Sequence, residues 1–215
     1  MKKHSTFYDG YIPKFMRICL DRETVKTVLD VGAGDGVFAH AINAHYKGKT
    51  YYGIEKSESR FKNHGYAGCC GEFPEVTSEL KPYDLVICHH VIEHIEDEAA
   101  VLKELKRLTK KYLYIATPYR SRIHMGYYRN AKGERVLDPT HLREYTTKEI
   151  VRKIARGMSG FTVSVTPMWF SVLDFILPRI SSNQYIYNNP ILKLLRNVKL
   201  PIAGYYNLEV LAWKD

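Results

Sequence analysis

The sequence predicts an open α/β sheet of seven strands, mostly parallel, with helices on both faces. Three observations carry that prediction. Short apolar runs rich in β-branched residues alternate with helix-periodic segments, capping or glycine residues mark many of the changes, and no repeat or low-complexity linker divides the 215 residues. Such alternation makes parallel strands joined by right-handed crossovers, which puts helices on both faces. At about 150 residues per domain, the length fits one domain with an elaboration.

Ile12, Phe15, Met16, Cys19 and Leu20 recur at helical spacing around Pro13, which predicts an opening helix within residues 1–24. Residues 27–31 read as a buried strand, 32–36 as a glycine-rich turn and 37–42 as the start of a helix. Residues 50–55 form the next strand, and 57–64 a short helix stopped by Gly65. A third strand spans 66–70 and a fourth 83–88. Asp97 is placed to cap a helix with Val101, Leu102, Leu105 and Leu108 on one face. Residues 112–117 are the fifth strand, closed by Pro118. Thr146 and Glu149 have capping-box spacing for a helix through Ile150, Val151, Ile154 and Ala155. Residues 161–166 and 205–213 are the last two strands. The apolar, proline-punctuated stretch 168–203 between them is predicted to be a helical insert packed on the core.

Composition narrows the function classes. Apolar residues make up 45% of the chain, enough for a core of its own. No run approaches the roughly 20 apolar residues of a membrane span, because Ser171 and Asp174 break the longest candidate. The basic start is not followed by an apolar segment, and the four cysteines include an adjacent pair without CxxC spacing. Both features lead to the expectation of a cytoplasmic protein with free thiols. The formal charge of +9 is unevenly placed: residues 1–99 sum to −3 and residues 100–215 to +12. The second half is therefore expected to meet something anionic, whether nucleic acid, a phosphorylated substrate or a membrane surface.

In an open α/β sheet, ligands bind beyond the carboxyl ends of the strands. There the turn Asp30-Val31-Gly32-Ala33-Gly34-Asp35-Gly36 lets backbone approach a ligand closely, and a helix follows it. Glu55 ends the next strand, where a carboxylate can accept both hydroxyls of a ribose. A nucleoside-containing ligand fits. The dinucleotide pattern would need glycine where this chain has Val37, and Asp30 and Asp35 suit a cationic ligand better than a pyrophosphate.

With these residues the sequence resembles the class I S-adenosylmethionine (SAM) methyltransferases of the type 11 kind. Residues 28–36 match their first motif, Glu55 the second-strand acid, and Gly71-Glu72 lies near the third-strand Gly-Asp. Residues 83–88 with Val91-Ile92-Glu93-His94-Ile95 resemble the fourth motif, while 114–118 and 141–146 also recur in that subgroup. The resemblance spans roughly residues 25–167 plus the last strand. It implies a Rossmann-like sheet with an antiparallel last strand, a SAM-binding half at 25–118 and an acceptor-side half at 119–215.

It further implies that Asp30, Gly32, Ala33, Gly34 and Gly36 hold the amino-acid end of SAM and Glu55 the ribose. Glu72 would lie near the adenine, and the segment 88–91, with His89, would line the methyl-donor pocket. Methyl transfer is mainly in-line positioning, and a hydroxyl or amine acceptor must also lose a proton. His141 and His94 are the expected bases, with Tyr119 a third at the rim. His90-Val91-Ile92-Glu93-His94 formally matches an inverted zinc-protease signature, which needs a continuous helix, whereas here it straddles a strand end and a loop. Glu93, His94 and His141 echo part of the metal site of small-RNA 2′-O-methyltransferases, which have glutamate where this chain has His90. Hydrogen-bonding roles are expected for these side chains, and no metal.

The expected acceptor is a small molecule, a glycan or a lipid-linked intermediate of anionic character. Tyr119, Arg120, Arg122, His124, Tyr127, Tyr128, Arg129, Lys132 and Arg135 interleave charge with aromatic rings, which keeps RNA open as an alternative. A non-catalytic binding protein of the same fold is a further alternative. The apolar insert with Lys193, Arg196 and Lys199 adds peripheral membrane contact.

Overall fold

The computed structural model describes residues 12–62, 65–120, 128–136, 138, 140–171 and 199–215. Along the chain these form α1 (Lys14–Leu20), β1 (Thr27–Val31), α2 (Val37–His45), β2 (Thr50–Glu55), α3 (Glu58–Phe61), β3 (Gly68–Cys70) and β4 (Tyr83–His89). Then follow α4 (Glu98–Leu108), β5 (Thr109–Pro118), β6 (Tyr128–Arg129), β7 (Arg135–Val136), α5 (Thr147–Ala155), β8 (Gly160–Ser171) and β9 (Lys199–Trp213).

Seven strands make one sheet in the order β3-β2-β1-β4-β5-β9-β8, and β6 pairs with β7 in a separate ribbon. The first five are parallel to one another, and β9 runs antiparallel to both β5 and β8. Alternate residues of each strand face opposite sides of the sheet, so each face needs its own cover. Leu29, Val31, Val86, Cys88, Leu113 and Ile115 pack with Val101, Leu102, Leu105 and Leu108 of α4 and Ile150 and Ile154 of α5. Val28, Leu85, Ile87, Tyr114 and Ala116 face the other way, onto Met16, Cys19 and Leu20 of α1 and Phe38, Ala39 and Ile42 of α2.

The predicted caps are present. Asp97 accepts the Ala100 N–H at 3.0 Å, and Thr146 and Glu149 form a reciprocal capping box. The helix expected over 57–64 is a single turn, capped by Ser57 and formed by Glu58–Phe61. The third strand is also shorter than predicted.

The last two strands are longer than predicted. Residues 168–171 and 199–203, expected to be the ends of a helical insert, instead continue β8 and β9, with Trp169 opposite Pro201 and Ser171 opposite Lys199. Proline is tolerated there because β9 pairs with β5 only as far as Asn207, so at Pro201 it has a neighbour on one side alone. Residues 172–198 of the expected insert lie outside the described residues, as do Arg122, His124 and Tyr127.

At the edge where β1 and β4 begin, Asp84 is 4% exposed and ties three strands together. Its Oδ2 accepts the N–H groups of Lys26 (2.9 Å) and Thr27 (3.1 Å), and its Oδ1 meets the Lys111 ammonium at 2.9 Å. Burial alone would push this carboxyl up. Lys111 and the two N–H groups outweigh that and hold it at about 2, below the ordinary 3.8. A depressed folded value means that the stabilisation is complete above about pH 4 and is lost as pH falls towards 2. Asp84→Asn should therefore lower the unfolding free energy by roughly 2 kcal/mol at pH 7. Urea melts of variant and parent should converge at the acid end.

Candidate active site

The strand order reverses between β1 and β4, and a cavity of about 510 Å³ opens at their carboxyl ends. Val31, Gly32, Ile54, Glu55, Lys56, Arg60, Gly71, Glu72, Phe73, His90, Val91, His94, Ile95 and Thr140 line it. Of the residues expected to hold a cofactor, Gly32, Glu55 and Glu72 are on its wall.

The turn after β1 requires glycine at Gly32. Its φ is +73°, and a Cβ there would lie 2.3 Å from Cγ2 of Val91. The N–H groups of Gly32 and Ala33 both donate to the Ile54 carbonyl, at 2.8 and 2.9 Å, which locks the turn to the end of β2. Gly36, at φ +69°, is the residue from which α2 starts. Glu55 is fixed at both oxygens: Oε2 accepts the Gly34 N–H and Oε1 the Ser57 N–H, each at 2.8 Å.

Asp30 is off the cavity wall. It is 2% exposed, and its Oδ2 accepts the Tyr51 hydroxyl at 2.6 Å. Burial pushes this carboxyl up to about 7; the Tyr51 hydrogen bond opposes the rise and the Glu55 charge adds to it. His89 is also off the wall. Its ring meets Phe38 edge-on at 5.2 Å and stacks with Tyr114 at 6.2 Å, and burial together with His90 pushes its pKa well below the usual value.

Beyond β4 the chain turns sharply. His90 has φ +53°, an uncommon conformation for a non-glycine residue, and a single 3₁₀ turn at Ile92–His94 follows. This break confirms that the HxxEH pattern is not on a continuous helix. Glu93 is fully buried, with Oε2 accepting the Thr117 hydroxyl and Oε1 facing Nδ1 of His90, both at 3.1 Å. Burial raises its carboxyl, but the His90 hydrogen bond and charge, its own backbone N–H and His94 outweigh this and leave it below the ordinary range.

Residues 140–145 are drawn onto this turn. The Leu142 N–H donates to the Glu93 carbonyl at 2.9 Å, and Arg143 donates to the carbonyls of Ile95 and Glu96. His141 thereby meets His94 edge-to-face at 4.9 Å between ring centroids. Glu93, His94 and His141 each offer one ligand atom, and these atoms lie within 4.8 Å of one another. Tyr119 does not join them: it bridges to Tyr145 and meets Tyr206 edge-on at 6.3 Å, off the cavity wall.

Sequence reasoning missed Lys56 and Arg60 on the wall and the supports Thr117, Thr140 and Glu144. Lys56 and Arg60 could have been suspected from their place directly after β2. Thr117 and Glu144 lie within segments that the resemblance picked out, without a role assigned to them, and Thr140 carries no local signal.

A methyltransferase domain model matches residues 4–156. A ubiquinone biosynthesis O-methyltransferase from Coxiella burnetii is 30% identical over 94 residues, which is 40% of this chain and 39% of the relative. The chain thus matches about two fifths of the length of such curated relatives. A SAM dependent methyltransferase from Archaeoglobus fulgidus aligns over 92% of this chain and 90% of its own, with TM-score 0.60 and 20% identity. A plantazolicin methyltransferase in complex with SAH aligns over 94% and 85%, with TM-score 0.59 and 16% identity. At these identities the two structures show a shared fold.

The raised Asp30 carboxyl makes a thermodynamic prediction. The folded chain keeps this proton up to about pH 7, whereas the unfolded chain releases it near 3.8. The contribution is present below the unfolded value and is lost as pH rises through the folded one. Asp30→Asn should therefore gain on the parent protein as pH climbs from 4 to 8, by on the order of 3 kcal/mol. Denaturant midpoints of both proteins at pH 4, 6 and 8 measure this, and a gap independent of pH would contradict it.

Proposed function

This chain belongs to the methyltransferase domain family, and on that premise we propose that it transfers a methyl group from SAM to a hydroxyl or amine of an acceptor. The observation that carries the reading is the pairing of the glycine turn with Glu55 around one cavity. The carboxylate that would receive the ribose is pre-oriented by a backbone N–H of the turn that would receive the amino-acid end.

The cofactor supplies a sulfonium that is already a good leaving group, so the chain's own task is to bind and orient. Gly32, Ala33, Gly34 and Gly36 bring backbone against the amino-acid end. Asp30, beneath them, offers a carboxyl that a bound cation would favour in its ionised form. Glu55 takes the ribose hydroxyls. Ile54, Phe73 and Ile95 form apolar walls for the adenine, with Glu72 at its edge. His89, packed between Phe38 and Tyr114, supports the floor of the donor pocket. His94 on the wall, with His141 behind it, faces the place where the acceptor's polar atom would enter. Tyr119, being off the wall, is left a packing role.

The acceptor is a small molecule, a glycan or a lipid-linked intermediate, and the basic second half of the chain favours an anionic one. The relatives support an oxygen acceptor, since the curated one is an O-methyltransferase. No helix among the described residues is long and apolar enough to cross a membrane.

Calorimetry with the demethylated product tests this reading. The parent chain should bind one equivalent. Glu55→Gln should weaken binding by about tenfold to a hundredfold, because a hydrogen-bonding carboxylate is lost. Gly32→Ala should abolish binding through the Val91 clash. A parent chain that binds neither SAM nor its product would end the reading.

A further inference from the structure

Two histidines and a carboxylate, from segments 47 residues apart, meet beside the cavity. We propose that Glu93, His94 and His141 form a binding site for a borderline divalent transition-metal ion, of the Zn²⁺ or Co²⁺ class, whose open side takes an oxygen of the acceptor.

The hydrogen bonds around the two rings decide which nitrogens are free. The Thr140 hydroxyl spends its hydrogen on Asp138 Oδ1 at 2.5 Å. Nδ1 of His94 lies 3.1 Å from that hydroxyl oxygen and 3.3 Å from the Thr140 carbonyl, both then acceptors. Nδ1 must therefore carry the proton, and the lone pair is on Nε2. Nδ1 of His141 lies 3.3 Å from Oε1 of Glu144, a buried carboxylate, so its proton is on Nδ1 as well. Each ring thus has its donor engaged at Nδ1 and keeps an acceptor at Nε2. A metal-ligating histidine shows this arrangement, with an outer carboxylate or carbonyl fixing the tautomer. The third ligand is held in the same manner, since Thr117 donates to the Glu93 carboxylate.

The donor set narrows the ion. Two imidazole nitrogens and one carboxylate suit zinc, cobalt or iron, whereas magnesium and calcium prefer oxygen alone. Ligand atoms on one tetrahedral ion stand about 3.4 Å apart, from bonds of about 2.1 Å. The three are within 4.8 Å, so loading needs a small inward rotation of side chains.

Three protein ligands leave a position open, as in catalytic metal sites. His94 and Thr140 are on the cavity wall, so that position faces the cavity. Only this last part rests on the methyltransferase reading. A hydroxyl bound there becomes more acidic and releases its proton to solvent. Its oxygen pair forms the new C–O bond as the C–S bond breaks, and that bonding pair stays on sulfur.

The test uses the untagged full chain, stripped by chelation, then dialysed against Co²⁺ or Zn²⁺ and assayed for metal content and visible Co²⁺ absorption. One ion per chain is expected, not displaced by a large excess of Mg²⁺. His94→Ala and Glu93→Gln should weaken Co²⁺ binding by about 100-fold or more, and Glu144→Gln by about 10- to 100-fold through His141. Binding of the demethylated cofactor product to each variant shows that it is folded. If Glu93→Gln fails that check, the half-exposed His94→Ala decides. No retained ion, Co²⁺ retained equally by the variants, or a preference for Mg²⁺ would each overturn the site. Metal binding without cofactor-product binding would instead end the methyltransferase reading and leave the metal site standing.

Discussion

Strands β1 and β4 lie side by side in parallel, Val28 against Leu85 and Val31 against Cys88, and the sheet grows outward from this pair in both directions. Asp84 pins their amino ends together through the backbone of Lys26 and Thr27. Because the register cannot slip, the two chains leave the sheet at one level, and Gly32 abuts Val91 with no room for a side chain. The cavity is the gap left where the chain departs from β1 and β4 on opposite faces. Its size and lining follow from that registry.

Two buried acids near these strand ends behave in opposite ways, and their partners explain the difference. Asp30 has the neutral Tyr51 hydroxyl for company and the Glu55 charge nearby, so its ionised form is poorly supported and its carboxyl rises. Glu93 has a histidine, a threonine hydroxyl, a backbone N–H and a second histidine, which together outweigh the same burial. The first acid thus has most to gain from an arriving cation. The second already sits among groups that favour its charged form.

The glycine turn and Glu55 beside the cavity were legible because their signals are local. A glycine turn directly after a strand, an acid at the end of the next strand and capping residues at the helix starts are all short-range patterns, and all are where they were expected. The surroundings of His94 were legible only in part. Glu93, His94 and His141 could be named from the sequence, but nothing in their spacing says that both rings would spend Nδ1 on neighbouring oxygens and keep Nε2 free. Thr140, Asp138 and Glu144 decide that, and the contacts of Leu142 and Arg143 with the 92–96 turn bring them there. Tyr119 shows the converse: the end of a strand looked like a rim, but the side chain pairs with Tyr206 and leaves the cavity.

The alternation of strand and helix, the helix caps, the glycine turn and the acid at the end of β2 were written in the sequence, because each depends on residues within one turn or one strand of each other. The charge split between −3 and +12 was also plain there, and it separates the half that carries the glycine turn from the half that carries His141. Tertiary structure alone decided the length of the β8–β9 ribbon, where proline is accepted once β9 loses its second neighbour. It also decided the meeting of His94 with His141 and the seclusion of Asp30 beneath the turn. These depend on contacts between distant segments, whose energies come from burial and hydrogen-bond geometry and leave no periodicity in the chain.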